Sequence, residues 1–76
     1  MPKRYRPADV AKVQRYDGWS ERKIKGDHVN FIKPLYRWVV TVDMGAREIP
    51  AGTMASILRQ AGMSRRQFDE IAKEVL

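Results

Sequence analysis

The chain has 76 residues, about half the usual length of a domain, so one domain spanning 1–76 is expected. A fold this small hides only about 60% of the surface its unfolded chain exposes, which excludes a large enzyme with a deep cofactor cleft. With no cysteine and a single histidine, disulfides, thiolate metal sites, thiol nucleophiles and an ordinary zinc site are all excluded, so neither metal nor cofactor is expected. No run approaches the ~18 apolar residues of a membrane span. The basic start Met1-Pro2-Lys3-Arg4-Tyr5-Arg6 leads into polar sequence rather than an apolar signal core, and a cytoplasmic protein is expected.

The charge is distributed unevenly. Residues 1–37 carry 10 basic and 4 acidic side chains, whereas residues 38–76 carry 5 of each, so the whole net charge of +6 sits in the first half. A one-sided basic surface attracts a polyanion. Nucleic acid fits better than a membrane, because no segment pairs a basic face with a broad apolar one. A lysine-rich face kept for solubility is the plainer alternative.

In chain order, the pattern predicts a helix from Pro7 to Asp17. Pro7 suits its first turn, where a missing N–H costs nothing, and Val10, Val13 and Tyr16 with Ala11 form its apolar stripe. Gly18 ends it, and Trp19 folds back as a core anchor. Three strands follow. Ser20 to Ile24 is a weak polar one, and Lys25-Gly26-Asp27 is a tight turn. His28 to Ile32 alternates, with His28, Asn30 and Ile32 on one face and Val29 and Phe31 on the other. After a turn at Lys33-Pro34-Leu35-Tyr36, Arg37 to Val42 alternates again, with Trp38, Val40 and Val42 together. Residues 43–52 read as a loop. Thr53 is placed to cap a helix through Met54, Ile57, Leu58 and Ala61 that stops at Gly62. Ser64 and Gln67 then form a capping box, with Met63 and Phe68 as its hydrophobic staple, opening a helix whose stripe is Phe68, Ile71, Ala72 and Val75. Met44, Met54 and Met63 read as core filler. The class is α+β: a helix, a three-stranded antiparallel sheet and a C-terminal helix pair, with helices on one face.

His28 is the one side chain suited to proton transfer near neutral pH, and Lys23, Lys25 and Lys33 stand close to it in sequence. A base among cations is what metal-free RNA cleavage requires: the imidazole takes the proton of a ribose 2′-OH while a lysine stabilises charge on phosphorus. A lone histidine beside a turn also reads as an ordinary surface residue. A second pattern competes: Ile57 to Phe68 has the look of a helix-turn-helix, with Gly62 at the turn and Ser64, Arg65, Arg66 and Gln67 opening a recognition helix. Leu58, four residues before that glycine, is large for such a close packing, and a capped helical hairpin explains the same residues. Asp69 and Glu70 diverge on their helix, Glu48 has no evident partner, and no phosphate loop, dinucleotide fingerprint or Ser/His/Asp spacing is present.

Taken together, Gly18-Trp19, Lys25-Gly26-Asp27-His28-Val29-Asn30-Phe31, Val39-Val40-Thr41-Val42, the run Arg47 to Met54, the run Ile57 to Ser64, and Phe68 resemble the HicA toxins, the messenger-RNA interferases of bacterial type II toxin–antitoxin pairs. The likeness extends from about residue 6 to residue 71 with its segments in the family's order. It implies a fold like the double-stranded-RNA-binding domain, α-β-β-β-α, and metal-independent endoribonuclease activity on mRNA. It also implies a cognate HicB-like antitoxin that masks the site. The family's Gly-Ser-His histidine corresponds to His28 as general base or acid. The expected RNA contacts are Lys23 and Lys25 on phosphate, Gly26 and Lys33 beside them, and Asn30 as a same-face neighbour. The chain departs from the family in having Asp27 before the histidine, Lys23 where an arginine is frequent, and no second histidine after the third strand. A non-catalytic module binding double-stranded RNA or DNA is the alternative reading.

Overall fold

The computed structural model describes residues 4–76, without the side chains of Lys23 and Ile24. The chain forms helix α1 (Pro7–Tyr16), strands β1 (Ser20–Lys25), β2 (His28–Ile32) and β3 (Val40–Asp43), then helices α2 (Ala51–Ala61) and α3 (Arg65–Val75). Both strand pairs are antiparallel, in the order β1-β2-β3. This is the α+β order expected from the sequence.

Local chemistry sets most of the boundaries. Arg6 caps α1 while the Asp9 carboxylate accepts its N–H (3.0 Å), placing a negative charge in the first turn where the helix dipole favours it. Gly18 at φ 92° and Gly62 at φ 67° take the left-handed conformation that ends α1 and α2. Ser64 and Gln67 make both bonds of the capping box that opens α3 (2.8 and 3.1 Å).

Alternation divides the sheet into two faces. Val29 and Phe31 of β2 and Val40 and Val42 of β3 point inward onto Val10 and Val13 of α1 and Met54 and Ile57 of α2, with Trp19 closing one side. Helix α2 lies along β3, and α3 packs on α1 rather than on the sheet. On the outer edge of β3, Gln60 Oε1 accepts the Thr41 N–H (3.3 Å), and Asp43 O accepts the Ala46 N–H (3.4 Å).

Two boundaries and one buried stripe differ from expectation. The third strand starts at Val40 instead of Arg37, because the turn at residues 33–36 carries the chain past the end of β2, where no partner strand remains; Trp38 is therefore 61% exposed and not part of the core. Helix α2 begins at Ala51 with Pro50 as its N-cap, so Thr53 lies inside the first turn and caps nothing. Tyr16 is exposed, since a residue six positions after Val10 has rotated off the helical face; the position that completes the stripe is Gln14.

Gln14 is fully buried, and neither of its amide atoms has a hydrogen-bond partner. A buried, unpaired amide carries a desolvation cost of about 1–3 kcal/mol. Gln14→Met, of similar shape, is accordingly expected to raise the unfolding free energy by about 1–3 kcal/mol in urea denaturation. A loss of stability would show that the amide has a partner in solution.

The two ends of the chain support one another. Tyr5 is buried, stacks edge-on against Phe68 of α3 (4.9 Å) and donates its hydroxyl to Asp69 Oδ1 (2.6 Å), while its backbone oxygen accepts the Ile49 N–H (2.8 Å). Arg65 completes the group, bonding Asp69 (2.9 Å) and lying over the Tyr5 ring (5.1 Å). Burial of Asp69 works against its charge, but the Tyr5 hydroxyl and Arg65 outweigh it and hold its carboxyl below the usual range. Burial, with Asp69 beside it, pushes the Tyr5 hydroxyl from 10.0 up to about 12. The folded state thus holds that proton more tightly than the unfolded one. The contribution is complete below pH 10 and is lost as pH rises toward 12. Tyr5→Phe should be less stable at neutral pH and should lack this share of the alkaline destabilisation, read as the difference between the two proteins' stability–pH curves.

Candidate functional site

The outer face of the sheet carries the side chains that alternate away from the core: His28, Asn30 and Ile32 of β2, with Thr41 and Asp43 opposite them on β3. Gly26 supplies the positive φ (56°) of the two-residue turn at Gly26-Asp27, which sets His28 as the first residue of β2. His28 stands between Lys25 of β1 and Asp43 of β3 as cross-strand partners, and all three are exposed. Together with Gly26, Asp27 and Thr41 they line an open depression of about 600 Å³.

Several neighbours are already committed. Asp43 Oδ1 accepts the Gly45 N–H (3.0 Å). The Asp27 carbonyl accepts the Met44 N–H (2.8 Å), and its carboxyl lies against Gly45, where a Cβ would come within 2.5 Å of Oδ2. The carboxylate before the histidine is thus packed on the turn after β3. Asn30 Oδ1 accepts from the Thr41 hydroxyl (2.8 Å), which leaves the amide NH2 as its free end.

The cations are distributed differently from the sequence expectation. Lys25 lines the depression beside His28. A bulge between Lys23 and Lys25 shifts the β1–β2 register by one, so Arg22 is opposite Asn30 and Lys23 opposite Val29. Arg22 is exposed and shares the face of Asn30; the Lys23 side chain lies outside the described residues. Lys33 follows the far end of β2, about 16 Å of strand from His28, and its ammonium is shared between Asp17 (3.4 Å) and the face of Trp19 (5.7 Å). The structure therefore brings together His28, Lys25, Gly26 and Asn30, and not Lys33. Sequence reasoning missed Arg22, Thr41 and Asp43. Counting the second hairpin outward from Leu35-Tyr36 would have found the last two.

The competing helix start is largely engaged. Ser64 and Gln67 hold each other in the capping box, and Arg65 is held by Asp69 and Tyr5, which leaves Arg66 exposed at the N-terminus of α3. A recognition helix needs several such side chains free for base edges. Among the described residues no group of three or more His, Cys, Asp or Glu is placed to hold a metal ion, and no helix is long and apolar enough to cross a membrane.

None of the curated proteins matches the chain. The family described as HicA toxin of bacterial toxin-antitoxin matches residues 7–63, which contain α1, the whole sheet with the His28 depression, and α2. That match covers well over half of the sequence and every strand of the site, and it carries with it an antitoxin as partner; the chain belongs to the HicA toxin family.

Proposed function

We propose that this toxin is an endoribonuclease that cleaves mRNA without a metal, using His28 as the general base or acid. The observation that supports this most is the position of the chain's one histidine: exposed, on the outer sheet face, at the rim of an open depression with Lys25 beside it. The imidazole takes the proton from a ribose 2′-OH. The freed oxygen attacks the adjacent phosphorus, the bond to the 5′-oxygen breaks, and that oxygen is protonated as it leaves. Lys25, with Arg22 one step further along the face, offsets the negative charge that builds on phosphorus. Lys25 or water serves as the second proton carrier, and the Asn30 amide orients the strand. The antitoxin, HicB-like, masks this face.

The mechanism fixes the products. A defined single-stranded RNA should be cut to a 2′,3′-cyclic phosphate and a 5′-hydroxyl in the presence of a chelator, and a 2′-deoxy substitution at the scissile nucleotide should block the cut. A strict requirement for magnesium, or cleavage of the deoxy substrate, would overturn the mechanism. RNA binding with no cleavage at all would leave the chain as a nucleic-acid-binding module.

A further inference from the structure

Of the seven large hydrophobic side chains exposed among the described residues, five fall between positions 32 and 39: Ile32, Leu35, Tyr36, Trp38 and Val39. Leu35 is fully exposed and is the one non-glycine residue at a left-handed φ (64°) among them. That conformation is unfavourable for a side chain with a Cβ, and an exposed leucine recovers none of the cost within the chain. The base of the segment is nevertheless fixed. Lys33 O accepts the Tyr36 N–H (3.1 Å), the Tyr36 ring meets Trp19 edge-on (5.1 Å), and its hydroxyl sits against Gly62, where a Cβ would collide with it. Leu35, Arg37 and Trp38 therefore project from an ordered turn, and the arm begins about 13 Å along β2 from His28.

We propose that this arm is the anchor on which the antitoxin docks, inserting Leu35 and Trp38 into an apolar pocket rimmed by acidic side chains, at a place separate from the His28 depression. Tryptophan and arginine are the residues that most often dominate binding energy at protein interfaces, and a fixed turn spares the ordering cost of docking. The chemistry discriminates between occupants. Trp38 offers an RNA a stacking ring and Arg37 a charge, but Leu35, Val39 and Ile32, the larger part of the exposed apolar surface, offer it neither a ring nor a hydrogen bond. A second copy of the chain brings the same +6 charge and is repelled. A short turn lacks the broad apolar helix face with which proteins lie on a bilayer. An acidic, apolar protein surface complements both the arm and the net charge. The proposal rests on the antitoxin partner that family membership brings, not on the cleavage chemistry.

The test measures the affinity of the purified toxin for the purified protein encoded by the adjoining reading frame. Leu35→Ala/Trp38→Ala should raise its Kd at least about 30-fold, the change that one strong interface residue gives. Circular dichroism, thermal midpoint and RNA affinity should stay as in the unaltered toxin, since both side chains are exposed. An unchanged Kd, or no binding of the unaltered toxin to that protein, overturns the proposal. A fall in RNA affinity with antitoxin binding intact assigns the arm to RNA instead, and a dimer of the toxin lost in the variant assigns it to self-association. Because the readout is binding, the result stands whether or not the toxin cleaves RNA.

Discussion

His28→Ala is expected to reduce RNA cleavage by about 10²- to 10⁴-fold, the usual cost of removing a general acid or base. The protein should stay folded, because the side chain is exposed at the start of β2, and surface replacements of this kind change stability by about 0.5 kcal/mol or less. No second histidine exists to substitute for it. RNA affinity should change little, since Lys25 and Arg22 retain their charge and their places beside the depression and along the outer face. The pairing of lost turnover with retained binding is the signature: a residue that only positioned RNA would lower both. Cleavage at the unaltered rate by a folded His28→Ala protein would remove the proposed mechanism and leave RNA binding as the activity to explain.

Phe68→Ala should be the most destabilising single change in α3, at about 3–5 kcal/mol. The ring is fully buried and lies outside the residues matched by the family, yet it fills the space between α3 and α1 and stacks on Tyr5. A domain of this size has a total stability of order 4–11 kcal/mol, so the loss takes a large part of the whole. Removing the ring also leaves Tyr5 without its aromatic partner and loosens the group that includes Asp69 and Arg65. Urea denaturation followed by circular dichroism measures the loss. A change below about 1 kcal/mol would show that α3 is not docked on α1 in solution.

The sequence by itself determined the order of elements, their approximate ends and the sheet face on which the one histidine stands. The reason is that these features are written in local chemistry. Gly18 and Gly62 take a left-handed φ that other residues resist, Ser64 and Gln67 satisfy each other's backbone donors, and strict alternation over His28 to Ile32 assigns each side chain to a face. The one histidine and the one-sided charge likewise need no partner to be read. Only the tertiary structure decided the rest. The bulge between Lys23 and Lys25 exchanges neighbours across the hairpin, so the cation sharing the face of Asn30 is Arg22, where an uninterrupted ladder would have put Lys23. A strand has a period of two, and one extra residue reverses every assignment beyond it. Trp38 alternates as a core residue, but alternation has meaning only while a neighbouring strand is present, and β2 has ended before the chain reaches it. Gln14 is polar in composition and buried in place, because helical geometry puts it between α1 and the rest of the core whatever its chemistry. Tyr5 comes beside Phe68 through a closure of 63 residues that no local pattern encodes. Lys33, near His28 in the sequence, is separated from it for the opposite reason: an extended strand carries its two ends apart.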